Sequence, residues 1–282
     1  MRTAIVTGGA SGIGLAVSRE FAGRGAHVVI ADLDGAGAER AAKELGGSAA
    51  TLDVSDARAV TDLVERVAAE RGRLDVVFNN AGIAVGGTVD ELTLDHWNRT
   101  IDVNLRGVVH GVHAAYPIMK RQGFGHIVNT ASLAGLVPAP LMAPYTATKH
   151  AVVGLSLALR AEAAAHGVRV SVVCPGFTDT PLLDNANPGL PQTPTGAGAR
   201  ESASRTMGRL YSVDALAADI IRGMARNRAL IVAPAAGRLA WRATRLSPSA
   251  AVRAAPTKEI AIGMKTSDLA SYSKRERSTM TA

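Results

Sequence analysis

The chain has 282 residues and a single cysteine, Cys174. No disulfide can form within it, and a cysteine-rich metal centre is excluded. Aromatic residues are scarce at 4%, against 47% hydrophobic residues overall, so the apolar content is mostly alanine, valine and leucine. Small aliphatic side chains suit parallel strands packed under helices. No run of about 18 uncharged apolar residues occurs, so no membrane-spanning helix is expected. The opening "MRTAIVTGG" reaches a glycine turn after one short apolar run, too short for a secretory leader, and a reducing, cytoplasmic setting is expected. A general basic excess is also missing. Residues 1–200 carry 17 Lys and Arg against 18 Asp and Glu, whereas residues 201–282 carry 14 against 6. The net charge of +7 therefore belongs to the C-terminal segment, and charge gives no support for nucleic-acid binding by the main body. His96, His110 and His113 have no surrounding carboxylate or thiol set of the kind that holds a metal, so no metal site is expected.

Short apolar runs alternate with stretches of helical spacing. "RTAIVTGG", "AHVVIAD", "SAATLDV", "LDVVFNNAG", "GHIVNTAS", "GVRVSVVCPG" and "ALIVAP" read as strands. Between them, "GIGLAVSREFAGRG", "GAGAERAAKELGG" and residues 56–71, 93–122, 145–166 and 213–226 read as helices, with a bend expected at Pro117. This rhythm predicts one doubly wound α/β domain over residues 1–234, a seven-stranded parallel sheet with helices on both faces. Residues 184–200, rich in Pro, Gly, Asn and Thr, break the pattern and predict a loop. A substrate lid is expected over about 182–210. Residues 235–282 form a basic extension, expected to be helical first and without structure over the polar residues 267–282.

"TGGASGIG" follows the first strand and opens the first helix, with Gly8, Gly12 and Gly14 spaced around Ser11 and Ile13. Glycines there let the backbone turn sharply and approach a pyrophosphate, which a helix N-terminus favours. The spacing is not the general G-x-G-x-x-G fingerprint, and a plain tight turn would look similar. Asp32 ends the second strand, where a carboxylate can accept from the ribose hydroxyls of an adenosine and repel a 2′-phosphate. No Lys or Arg stands in the glycine turn or at residues 31–35 to receive that phosphate, which favours NAD(H) over NADP(H). The other use of Asp32 would be to cap the following helix.

"YTATK" places Tyr145 and Lys149 one helical turn apart, which on most helices is a surface pair. Here it follows "NNAG" at 79–82, Asn104 and Ser132, and precedes "PGFTDT" at 175–180. Together with "TGGASGIG", Asp32 and "DV" at 53–54, these pieces in this order resemble the short-chain dehydrogenase/reductase family over residues 1 to about 235. The resemblance implies an oxidoreductase that interconverts a secondary alcohol and a ketone with a nicotinamide cofactor. It implies that Asp53 and Val54 face the adenine, that Asn80, Ala81 and Gly82 lie along the cofactor, and that Pro175, Gly176, Thr178 and Thr180 run beside the nicotinamide. Asn104, Ser132, Tyr145 and Lys149 would form the catalytic tetrad, with Tyr145 and Lys149 also touching the cofactor. A free phenol, with a pKa of about 10, is a poor base near neutrality, and an adjacent ammonium would lower that value. Ser132 would orient the substrate oxygen, and Asn104 would anchor a water leading to Lys149.

The apolar "LAGLVPAPLMAP" after Ser132 suggests a substrate with hydrophobic bulk. Family resemblance also implies a homo-oligomer, dimer or tetramer, through the helices at 93–122 and 145–166. In the tail, "GRLAWRATRLSP" sets Leu239, Ala243 and Leu246 at helical spacing among Arg238, Arg242 and Arg245, a basic amphipathic pattern compatible with weak membrane-surface contact. A non-catalytic cofactor-binding or membrane-surface adaptor of the same fold is the alternative reading. Such proteins tend to lose members of the tetrad, and this chain keeps all four.

Overall fold

The computed structural model describes residues 2–196, 198–207 and 209–255. Its strands are β1 (Thr3–Thr7), β2 (His27–Asp32), β3 (Ser48–Thr51), β4 (Val76–Asn79), β5 (Gly125–Thr130), β6 (Val168–Pro175) and β7 (Leu230–Ala233). They form one parallel sheet in the order β3-β2-β1-β4-β5-β6-β7. The helices are α1 (Gly12–Ala22), α2 (Gly35–Leu45), α3 (Ala57–Arg71), α4 (Leu94–Ile101), α5 (Gly107–Gln122), α6 (Ala143–Ala163), α7 (Ala199–Met207), α8 (Val213–Ala225), α9 (Ala235–Leu246) and α10 (Pro248–Ala254).

Alternation along the strands sorts side chains to two cores. Ile5, Val77, Ile127 and Val172 face α3, α5 and α6, while Ala4, Val6, Phe78, Val128 and Val173 face α1, α2 and α8. The small residues foreseen in the composition make this close packing achievable. The strand order reverses between β1 and β4, so the chain opens a crevice at their carboxyl ends. In open α/β sheets that crevice is where ligands bind.

Some expectations need correction. The helix read over 93–122 is two helices joined by a π-helical turn, Asp102–Arg106, which holds Asn104. Pro117 lies inside α5 at an exposed position and does not end it. The long helix starts at Ala143, two residues before Tyr145, because Pro144 fits the first turn where no intrahelical donor is needed. Residues 199–207 are helical within the segment expected to be lid loop, and α10 was not foreseen. The segment 267–282 lies outside the described residues.

A buried polar link joins β5 and β6. His126 Nε2 lies 2.9 Å from Ser171 Oγ, and that hydroxyl donates to Arg228 O at 2.7 Å, so His126 Nε2 is the donor. Burial, with help from Arg169 and Arg160, lowers the His126 pKa to about 3 from 6.5. The imidazole is neutral in the fold but takes a proton in the unfolded chain below 6.5. Stability is therefore unaffected above pH 6.5 and falls as pH drops towards 3. Between pH 6.5 and 4 this group alone is expected to remove about 3 kcal/mol. Urea midpoints measured across that range should fall less steeply in His126→Gln; equal slopes would contradict the assignment.

Candidate active site

The glycine turn is built for a close approach. Gly8 and Gly12 have φ of 62° and 52°, in the left-handed region. A Cβ on Gly14 would lie 2.0 Å from Gly8 O and 2.8 Å from Asn80 Nδ2, so only glycine lets α1 start against this turn. Asn80 Nδ2 donates to Thr7 O and Gly8 O at 3.1 and 3.2 Å, and its Oδ1 accepts from Thr130 Oγ1. Thr7 Oγ1 accepts from the amides of Asn80 and Ala81. The chain after β4 is thereby stitched to the turn after β1. At the N-terminus of α1, Ser11 occupies the N-cap position without a side-chain cap bond, which leaves the first-turn amides without that acceptor. Ile13 is half-buried in that turn.

Asp32 does not cap α2. Asp34 does so, accepting from Gly37 N. Asp32 instead accepts from Ala10 N at 2.9 Å and Asp34 N at 3.0 Å, which holds its carboxylate at the end of β2 against the glycine turn. Asp53 accepts from Ser55 N and Oγ and lies 3.6 Å from Arg99. Burial pushes its carboxyl up, but the Ser55 hydrogen bonds and Arg99 outweigh that and hold it below the usual range. Val54 is buried against Gly107, and its carbonyl accepts from His110 Nδ1. Thr180 packs its side chain over Gly12, and Thr178 Oγ1 donates to Gly176 O. The segment Pro175–Thr180 thus bridges the glycine turn and the opposite wall of the crevice.

On that wall α6 turns its packed face inwards. Tyr145, Lys149, Val152 and Ser156 follow one another down this face, at helical spacing. Lys149 is 3% exposed and Tyr145 9%, so they are not a solvated surface pair. Ser156 anchors the helix. Asn79 Nδ2 donates to Asn129 Oδ1, Asn129 Nδ2 to Ser156 Oγ, and Ser156 Oγ to Val152 O, at 2.8, 3.0 and 2.6 Å. That buried chain fixes α6 against β4 and β5. Lys149 Nζ donates to Thr130 O at 2.9 Å and lies 5.5 Å from the centre of the Tyr145 ring.

Ser132 follows β5 and is half-buried; its Oγ accepts from Ala134 N at 3.1 Å. Asn104 is fully buried. It clamps Ile83, accepting from Ile83 N at 2.8 Å and donating to Ile83 O at 2.9 Å. The side chain expected to anchor a water is therefore largely engaged by backbone. A Cβ on Gly82 would lie 3.0 Å from Asn104 Oδ1 and 3.5 Å from Lys149 Nζ, so Gly82 separates these two groups.

The electrostatics differ from the expectation. Burial raises the Tyr145 pKa above the ordinary phenol value, and a hydrogen bond with Ser132 only partly offsets it. Burial also lowers Lys149 to about 8. Cys174, buried beside them, has its thiol pushed up to about 12, so it carries no charge near neutrality. Desolvation thus dominates where an ammonium effect on the phenol was expected.

Residues outside the motifs complete the enclosure. Asn187, buried with φ 55°, accepts from Gly86 N and donates to Gly86 O, at 3.0 and 3.1 Å. Thr193 Oγ1 also donates to Gly86 O, Thr195 Oγ1 donates to Glu91, and His96 Nε2 meets Pro191 O. Residues 187–195 are docked onto residues 84–96 by these bonds. Nothing in the periodicity marked Asn187, Thr193 and Thr195, because they sit in irregular chain. Thr7 could have been found from its place at the head of "TGG".

The fold and this crevice define an α/β protein with a dinucleotide-type glycine turn facing a buried Tyr–Lys pair. A sequence profile of the short chain dehydrogenases matches residues 2–191, and the chain belongs to that family. It is similar to the D-beta-hydroxybutyrate dehydrogenase of Rhizobium meliloti, 35% identical over 202 residues, covering 68% of this chain and 77% of the relative. Among solved structures, a short chain dehydrogenase/reductase from Burkholderia phymatum in complex with NAD superposes with a TM-score of 0.78 at 32% identity, covering 86% of this chain and 92% of that one. A 3-ketoacyl-(acyl-carrier-protein) reductase from Brucella melitensis complexed with NADH gives 0.72 at 33% identity, covering 82% and 94%. The chain is thus an oxidoreductase of the class acting on CH–OH groups.

Proposed function

We propose that the protein is an NAD-dependent dehydrogenase or ketoreductase acting on a secondary alcohol or ketone of moderate hydrophobicity. The observation that carries this reading is the buried Tyr145–Lys149 pair on the inner face of α6, held across the crevice from Asp32 and the glycine turn. The cradle fits a dinucleotide: Gly8 and Gly12 adopt φ that a side chain would strain, and a Cβ on Gly14 would clash. The α1 amides would face the pyrophosphate, and Asp32 the adenosine ribose. Asn80, Ala81 and Gly82 would line one side, and Pro175–Thr180 the other. The bound nicotinamide supplies two-electron exchange with the substrate carbon.

The chain's own residues handle the proton and the substrate oxygen. Ser132 Oγ orients that oxygen by hydrogen bonding. With burial keeping the phenol protonated, Tyr145 Oη hands its proton to a carbonyl oxygen in the reducing direction. Oxidation needs the phenolate, which Lys149 Nζ favours while protonated, below about 8. Asn104, by clamping Ile83, keeps Gly82 beside Lys149. The apolar wall Leu133–Met142 and the docked lid exclude water. Copies of the chain would pair through α5 and α6, whose outer faces carry Val109, Ala151, Gly154, Leu157 and Ala158 in exposed positions. A cytoplasmic setting belongs to the same reading.

The test is a panel of secondary alcohols of graded apolar size incubated with NAD, read as NADH absorbance. Turnover that increases with apolar bulk supports the proposal. No turnover with any member, in either direction, would remove it.

A further inference from the structure

Helix α9 begins where β7 ends, at the catalytic edge of the sheet. It is attached to the body along a narrow strip. Gly237 is buried beside the Leu133 side chain, immediately after Ser132, and Trp241 packs half-buried on the core. Arg238 Nη1 donates to Val232 O at 3.0 Å. Among the described residues nothing covers the opposite face. Leu239 is 66% exposed and Leu246 88%, and Val252 on α10 is 60% exposed. At 3.6 residues per turn, Leu239, Ala243 and Leu246 share one stripe, with Arg238, Arg242 and Arg245 along its flank. Arg253 adds a cation on α10, and residues 235–255 contain no Asp or Glu.

We infer that α9 and α10 form a docking face for an anionic lipid surface. Charge complementarity and the leucines argue for this occupant together. A purely polyanionic partner, such as nucleic acid, would use the arginines but leave Leu239 and Leu246 in water. A lipid interface takes both, the apolar stripe sinking to the acyl boundary while the arginines meet headgroup phosphates. Exposed apolar groups gathered on one helix beside a basic flank mark an interaction site, unlike singly scattered surface hydrophobes. Because α9 starts beside Leu133, docking would set the mouth of the crevice close to the lipid. That consequence rests on the proposed function; the docking itself does not.

The experiment is flotation of the full chain with vesicles of phosphatidylcholine alone and of phosphatidylcholine mixed with phosphatidylglycerol. The protein should float with the mixed vesicles only, and less so as salt is raised. Leu239→Ser with Leu246→Ser should weaken binding at least about tenfold at unchanged melting temperature. Arg242→Gln with Arg245→Gln should weaken it about 25-fold, at roughly fivefold per arginine. Absence of flotation on anionic vesicles overturns the inference. So does flotation indifferent to the leucine pair, which would leave headgroup charge alone as the attraction and no role for the apolar stripe. Loss of a dimer in the leucine variant without lipid binding would assign the face to a second copy. Binding seen only after removal of residues 256–282 would assign it to that segment. Both results overturn the inference while leaving the enzyme reading intact.

Discussion

Tyr145→Phe is expected to lower turnover by about 10²- to 10⁴-fold while leaving nicotinamide-cofactor affinity nearly unchanged. The substitution removes only Oη, and the ring stays packed on the inner face of α6, 9% exposed. Since the wild-type phenol is held above its ordinary pKa by burial, oxidation should accelerate as pH rises and reduction should slow. In the Phe variant that pH dependence should disappear from the residual rate. Initial rates in both directions across pH, with cofactor binding measured separately, provide the check. A variant that keeps wild-type rates would mean that another group moves the proton.

Lys149→Met is expected to separate stability from activity. Burial lowers the lysine pKa to about 8 from 10.5, so the folded state disfavours its charge. The unfolded chain binds the extra proton between those values. The penalty is therefore complete below pH 8 and is relieved as pH rises to 10.5. At pH 7 it amounts to about 3 kcal/mol. Methionine is close in length and carries no charge, but it leaves Thr130 O without its donor, at a cost of about 1 to 3 kcal/mol. A net gain of about 1 kcal/mol would raise the melting temperature by roughly 2–4 °C. Activity should fall on the order of a hundredfold, because the phenolate loses its nearby cation. A variant that melts lower at neutral pH would show that the Thr130 hydrogen bond outweighs the desolvation of the ammonium. The two substitutions should not add in rate, since in the proposed mechanism Tyr145 and Lys149 act on one proton.

Most of the architecture was legible because hydrophobic period and glycine punctuation agree along the chain. The seven apolar runs became the seven strands in the expected direction, and Asp32 and the glycine turn fell at the crevice. The π-helical turn at Asp102–Arg106 was not legible. Its extra residue is absorbed between two stretches of ordinary helical spacing, so no period changes on either side. The burial of Tyr145 and Lys149 could be inferred only jointly with Ser132 and Asn104, as spacing alone permits a surface pair. Their electrostatics could not be read at all. The sequence shows that an ammonium is near a phenol, but the balance between attraction and desolvation depends on depth. In the structure Lys149 is 3% exposed and desolvation wins. The irregular segment at 184–200 was visible as a composition break, but its docking through Asn187, Thr193 and His96 depends on contacts about a hundred residues apart in the chain.

In the proposed function the glycine turn and Asp32 hold NAD opposite Tyr145. The most direct test of this is a calorimetric titration of wild type and Asp32→Ala with NADH and NADPH. Clear preference for NADH is expected in wild type and a relaxed preference in the variant, because the carboxylate that would meet the ribose hydroxyls and repel a 2′-phosphate is gone. Preference for NADPH in wild type would contradict the role given to Asp32, and binding of neither would contradict the account as a whole.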